Sequence, residues 1–442
     1  MPAHIIDSEL FGESFSTAEM RPIFSDASVI TAWIAAEVAL AQAQAEHGVI
    51  PAEAAAEITR RGRIENFDMA ELGAGIRATS HPIMPFLRRF QDVCDPDHRG
   101  YLHWGATTQD IVDTGAALRF RRCLDLLERD LDAITRRLRG LAHEHAETVL
   151  AGRTHGQHAL PVTFGYKAAV WFHEVRRHQE RLRQLRPRVL VGNLTGAVGT
   201  MAFVGDPGPA VQRSALTMLG LGTPEICWHA SRDRVAELAS WLAMTGTTLG
   251  KIAREVVALS KTDVGELEEP FAEGKVGSST MPQKRNPSAC ESIHAKALLL
   301  KAQASLGFDV MMQEHERDKA PWQAEWAFLP EMFLLTGGIL RDSVRVLDGL
   351  VVRGDRMRAN LEAHSLTMAE AVMGALAPKV GRDRAHDLIY EISMRTYETG
   401  ADFAAELKAD PEVSGALSPA EVDTLLDPAR YTGLAAEFAR SV

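Results

Sequence analysis

Apolar residues recur along this chain in steps of three and four over long distances. One stripe runs Leu124, Leu127, Leu131, Ile134, Leu138, Leu141, and a second runs Phe164, Ala168, Trp171, Val175, His178, Leu182, Leu185. A third follows Leu238, Leu242, Thr245, Leu249, Ile252, Val256 and Leu259. Such spacing keeps each stripe on one helix face and suits bundle packing. Charges such as Arg121, Arg122, Glu128, Arg129, Arg136 and Arg137 lie between the apolar positions, as a solvated face requires. Two further alanine- and leucine-rich stretches, at 288–312 and 325–350, extend the pattern. At a rise of 1.5 Å per residue, a helix of about 30 residues is about 45 Å long, more than a compact monomer needs. Strand-like alternation is scarce. The predicted fold is all-α, three helical regions with a central long-helix bundle.

Punctuation sets the boundaries. Ser25 or Asp26 caps a predicted helix that ends near Gly48, ahead of Val49-Ile50-Pro51. Cys94 to Gly100 reads as a turn, Arg186-Pro187 ends or kinks a long helix, and Asn193 to Gly199 is a Gly-rich connection. Past residue 352 shorter helices return, broken near Pro378, Pro411 and Pro419. The expected organisation is a helical region at 1–110, the long-helix core at 111–351 and a helical cap at 352–442.

Composition narrows the function classes. With 46% hydrophobic and 24% charged residues, the 442-residue chain is globular and not disordered. Its formal charge of −11, without a basic block, argues against nucleic acid or an anionic membrane as partner. The cysteines, Cys94, Cys123, Cys227 and Cys290, form no CxxC pair, so neither a disulfide framework nor a thiolate zinc site is expected. No basic leader precedes an apolar core, and no apolar run reaches the roughly 18 residues of a membrane span. A soluble, cytoplasmic protein is expected. His143-Glu144-His145 and the pair His155/His158 have spacings that can bring imidazoles together, but no Cys or carboxylate cluster completes a metal set. Gly220-Leu221-Gly222 has no third glycine and implies no dinucleotide.

One loop carries more information. Gly265 to Glu291 reads GELEEPFAEGKVGSSTMPQKRNPSACE, a composition any surface loop could share. Its order is specific: Gly277-Ser278-Ser279-Thr280-Met281-Pro282-Gln283-Lys284-Arg285-Asn286-Pro287 resembles the signature GSSxMPxKxNP of the fumarase/aspartase superfamily. His103-Trp104-Gly105-Ala106-Thr107-Thr108-Gln109-Asp110 is similar to its HxGxTxxD segment, and Gly152-Arg153-Thr154-His155-Gly156-Gln157-His158-Ala159 to its GRTHxxxA segment. The run Phe15 to Met20 and the tail Leu426 to Ala435 resemble the branch holding adenylosuccinate lyase and 3-carboxy-cis,cis-muconate cycloisomerase. The likeness spans nearly the whole chain.

The resemblance implies chemistry. Members cleave a C–N or C–O bond β to a carboxylate, usually releasing fumarate. The proton removed is weakly acidic, so the reaction needs a positioned base and strong stabilisation of a doubly charged aci-carboxylate. By resemblance Ser278 is the base, activated by backbone donors or positive charge, and His155 is the general acid. Lys284 and Asn286 would hold the carboxylate, and Glu291 matches the glutamate that pairs with that histidine in adenylosuccinate lyases. Thr107, Thr108 and Thr154 would offer hydroxyls to substrate, with His103 and His81 approaching from another segment. Ser279 and Met281 share the signature loop and are expected at the substrate, while Gly274 and Gly277 would let the loop close. Read without the family, the threonines are plausible helix caps, His155 is a polar residue at a helix start, and Glu291 is an exposed helix-start glutamate. No cofactor and no metal are implied. Four subunits would assemble, each site drawing on three chains.

Departures from the pattern shape the choice of substrate. Gly12-Glu13-Ser14-Phe15 stands where adenylosuccinate lyases usually carry Arg-Tyr, and His315 to Trp326 (HERDKAPWQAEW) makes a poor phosphate cradle. That segment resembles the cycloisomerase branch, which typically replaces the histidine of GRTH; this chain keeps His155 and His81. The sequence therefore points to a lyase acting on a substituted succinate, expectedly an N-substituted aspartate cleaved at C–N, with fumarate released. The alternatives are 3-carboxy-cis,cis-muconate cycloisomerase, adenylosuccinate lyase and an inactive crystallin-like homologue.

Overall fold

The computed structural model describes residues 4–271 and 278–442, so Gly274 and Gly277 lie outside the described residues. Helix accounts for 68% of it. The three apolar stripes fall on the helices Thr108–Glu144, Phe164–Val189 and Asp233–Leu259, and every stripe position is buried. The two alanine- and leucine-rich stretches form Ser288–Asp309 and Lys319–Asp348. Ser25 caps Asp26–Glu46 by accepting the Ser28 N–H at 3.3 Å, as its position before the apolar run requires. Pro187 sits in the last turn of its helix, which stops at Val189. No helix among the described residues is long and apolar enough to cross a membrane.

Strands are limited, among the described residues, to two antiparallel pairs: Val149–Thr154 with Gln157–Thr163, and Leu267–Glu268 with Val351–Val352. The first pair corrects the reading of His155 as a helix-start residue. The flanking β-branched residues Val149, Thr154, Val162 and Thr163 favour extended backbone. His155 (φ 53°) and Gly156 (φ 78°) form the two-residue turn between the strands. Left-handed φ at both central positions is what a tight hairpin with right-handed strand twist demands.

The chain divides into two compact units. One comprises residues up to Asp132 with 177–250 and 292–342, the other 133–176, 251–291 and 343–442; each division falls inside a long helix. The first unit packs Trp33, Phe67, Phe86 and Phe90 with ring centroids 5.2 to 5.8 Å apart, beside Leu40 and Ile58. The second encloses Val372, Leu376, Leu388, Ile392, Phe403 and Leu407. The boundaries expected near 110 and 351 lie at the start of Thr108–Glu144 and just past Lys319–Asp348.

Candidate active site

In the first unit lies the segment around His103. Thr107 stands before the helix Thr108–Glu144, but its hydroxyl is not the cap. The Asp110 carboxylate reaches back to accept the Thr107 N–H at 3.1 Å, while the Asp110 N–H donates to the Thr107 carbonyl at 3.0 Å. No described residue engages the hydroxyls of half-buried Thr107 and Thr108. Fully buried Asp110 also accepts N–H bonds from Thr195 (3.1 Å) and Gly196 (2.8 Å) and pairs with His229 Nε2 at 2.9 Å. It ties the Asn193–Gly199 connection to the helix start.

His103 lies at a left-handed φ of 61°, its Nδ1 2.6 Å from Glu37 Oε1 on the helix Asp26–Glu46. Burial works to lower the His103 pKa, but the Glu37 carboxylate outweighs it and raises the value above the ordinary histidine range. His81 behaves oppositely. Burial, then the positive charges of Lys319 and His103, hold its pKa down, and its Nδ1 accepts the Met84 N–H at 3.3 Å. The surroundings thus push the pKa values of the two histidines in opposite directions.

In the second unit lie the signature loop and the GRTH hairpin. Half-buried Ser278 receives two backbone N–H bonds on its hydroxyl oxygen, from Thr280 at 3.3 Å and Met281 at 3.1 Å. Donors aimed at that oxygen stabilise negative charge on it. Ser279, Met281 and Lys284 are exposed on the same turn, which the Lys284 N–H closes on the Met281 carbonyl at 3.0 Å. Among the described residues the Lys284 ammonium has no ion pair. Asn286 lines a cleft of about 520 Å³ with Gln283, Arg285, Arg353 and Arg356. Glu291 is exposed in the first turn of Ser288–Asp309, where the sequence placed it. Thr154 and His155 sit exposed at the hairpin tip, Thr154 in the strand and not at a cap. Among the described residues no hydrogen bond or ion pair joins His155 to Ser278, Lys284 or Glu291.

Several supporting groups escaped the sequence analysis. Arg153 of GRTH is held by buried Glu266 (Nη2 to Oε1 2.6 Å, Nη1 to Oε2 3.0 Å), which also accepts from Asn360 at 2.9 Å. Glu269 binds the N–H groups of Ala289 and Cys290 at the N-terminus of Ser288–Asp309. Asp110 could have been found, since it closes a motif. Nothing marks Glu37, because an acid in a long helix ordinarily belongs to the solvated face. Among the described residues no group of three or more His, Cys, Asp or Glu side chains is arranged to hold a metal ion.

Comparison with known proteins agrees with the fold. Residues 13–299 match the family model described as Lyase, and residues 365–442 match that of the adenylosuccinate lyase C-terminus. The N-acetyl-S-(2-succino)cysteine lyase of Dickeya dadantii is 42% identical over 436 residues, covering 98% of this chain and 96% of that protein. The 3-carboxy-cis,cis-muconate cycloisomerase of Pseudomonas aeruginosa is 43% identical over 432 residues, covering 97% and 94%. Among solved structures, fumarate lyase from Mesorhizobium sp. BNC1 superposes with a TM-score of 0.92 at 41% identity, covering 98% of each chain.

Proposed function

We propose the following reaction for this chain, which belongs to the fumarase/aspartase superfamily of lyases: β-elimination from a substituted succinate, with fumarate as one product. The environment of Ser278 carries the reading. A serine hydroxyl is ordinarily too weak to take a proton from carbon, but two N–H bonds on its oxygen lower the cost of the alkoxide. Once the hydroxyl has released its own proton to solvent, the alkoxide takes the proton from the carbon next to the carboxylate. The carboxylate becomes an aci-dianion, and Lys284 and Asn286 receive the charge that builds up. The bond to the β-substituent then breaks, its electron pair leaving with the substituent. His155 supplies a proton to the departing atom, and Glu291 is the positioning partner proposed for it. Thr107, Thr108, Thr154 and His103 hold the carboxylates, with His81, Ser279 and Met281 completing the pocket. The subunits assemble as a homotetramer that shares these residues between chains.

Sulfur is the favoured leaving atom, since a relative named for an S-succinocysteine covers nearly the whole chain. The nitrogen leaving group expected from the sequence is the second reading, favoured by the retained His155: an amine departs poorly without a proton, whereas a thiolate, with a conjugate-acid pKa of about 8.5, leaves readily. The experiment follows fumarate by its ultraviolet absorbance with S-(2-succino)cysteine derivatives, N-substituted aspartates including adenylosuccinate, and separately the loss of carboxymuconate. Fumarate from the sulfur adducts supports the first reading; failure of every succinyl adduct defeats both. Ser278→Ala should lower kcat by about 100- to 10,000-fold with the fold retained. His155→Gln should impair an amine adduct far more than a thiol adduct.

A further inference from the structure

We infer that Glu266 is a positioning residue, which rests on the proton-donor role proposed above for His155: it grips Arg153 and so fixes the tip of the hairpin that presents His155. Burial along the hairpin shows why a grip is needed. At its base Val149, Leu150 and Ala151 are buried, and Val149 and Ala151 cluster with Leu361 of the helix Gly354–Glu362. Beyond Ala151 that packing stops. Gly152 and Arg153 are half-buried, and the next four residues, through Gln157, are exposed. A two-stranded hairpin without a packed face is marginally stable in water. The register also shifts between Ala151 and Arg153, an irregularity of the kind that bends a strand and re-aims its side chains. A Cβ at Gly152 would come within 2.7 Å of the Leu160 carbonyl oxygen, so this close approach requires glycine.

Past the register shift, Arg153 supplies what packing does not. Its guanidinium makes a two-pronged contact with the Glu266 carboxylate, Nη2 to Oε1 at 2.6 Å and Nη1 to Oε2 at 3.0 Å. This planar match fixes orientation as well as distance. The Glu266 side chain is fully buried, and Asn360 Nδ2 donates to its Oε1 at 2.9 Å. Its backbone is pinned too: the N–H donates to the Leu259 carbonyl at 2.8 Å, and the carbonyl accepts the Arg353 N–H at 3.0 Å. Arg153 therefore bonds, two residues before His155, to a carboxylate anchored through both its backbone and its side chain. Stability alone does not account for such a pair. Desolvating two charges offsets most of their attraction, and apolar side chains of similar size often serve a core as well or better. An ion pair does what they do not: it holds the strand in one orientation, with Thr154 and the left-handed His155 (φ 53°) just beyond it.

The test compares an N-substituted aspartate with S-(2-succino)cysteine as substrates, since the departing amine needs the His155 proton far more than the thiolate does. Glu266→Gln keeps the shape and removes the charge; Arg153→Lys keeps the charge and removes the two-pronged contact. Each should lower turnover of the amine adduct relative to the thiol adduct by at least about tenfold, in kcat rather than KM. Because Glu266 acts through Arg153, combining Glu266→Gln with Arg153→Gln should reduce that ratio no further than Arg153→Gln alone. Equal losses on both adducts, or losses that add in the double variant, show a merely structural pair and overturn the inference. If Glu266→Gln does not fold, Arg153→Lys carries the comparison. An unchanged ratio in His155→Gln defeats the assignment of the acid instead, and amide hydrogen exchange then decides whether the pair fixes the tip. In either folded variant residues 152–158 should exchange faster while 159–163 keep their protection. The same measurement applies if neither adduct is turned over, and unchanged exchange at the tip overturns the inference on its own.

Discussion

Cys227 and His229, two residues apart before the helix Asp233–Leu259, alter each other's protonation. Burial opposes charging either group. Asp110 and Cys227 nevertheless raise His229 to about 9, while His229 and Thr195 lower Cys227 to about 7. In an unfolded chain the values would be about 6.5 and about 8.5. The raised histidine contributes stability below pH about 6.5 that is lost as pH rises through about 9. The depressed thiol contributes stability above pH about 8.5 that is lost as pH falls through about 7. Between these limits folded and unfolded chains bind nearly the same number of protons, so the melting temperature should be almost flat from pH 7 to 9. Cys227→Ser removes one half of the compensation, and its melting temperature should fall as pH rises across that window. A flat profile in the variant would show that the pair is not linked.

At the scale of elements, Glu269 shows how a loop is aimed. The short strand Leu267–Glu268, paired with Val351–Val352, delivers this carboxylate to the first turn of Ser288–Asp309, where helical N–H groups lack intrahelical acceptors. Asn286 and Glu291 flank that helix start, so the cap that fixes the helix also fixes two proposed site residues. Glu269→Ala should cost about 1 to 2 kcal/mol in urea unfolding and raise KM more than it lowers kcat. Unchanged KM in a folded variant would separate the cap from the site. The signature loop was legible in the sequence because its residues are consecutive. Its anchor was not, since Glu268 and Glu269 read as two more acids in a charged loop.

Over the whole molecule, the telling feature is an apolar face on Ser288–Asp309. Leu299, Ala302 and Leu306 share one side of the helix at spacings of three and four, and Leu298 (50%) and Phe308 (58%) are also exposed, followed by Met312 at 73%. Contiguous exposed apolar surface of this kind marks an interface, and it is where the proposed tetramer would bury helices from neighbouring copies. Leu306→Lys should shift the mass measured by light scattering toward smaller species. If each site draws on several chains, mixing inactive Ser278→Ala and His155→Gln proteins under exchange conditions should restore activity with an amine adduct. Mixtures that stay inactive while exchanging subunits would show that each site belongs to one chain.

The sequence by itself determined the long helices, because burial repeats every three to four residues whatever the partner, and it determined the signature loop, because that chemistry is written in neighbouring residues. Tertiary structure decided the rest. Glu37 meets His103 across 66 positions, and Asp110 meets Thr195 and His229 across 85 and 119. A hairpin, not a helix, presents His155. Electrostatic partnership depends on distance in space, and only packing brings residues so remote in the chain within a hydrogen bond of each other.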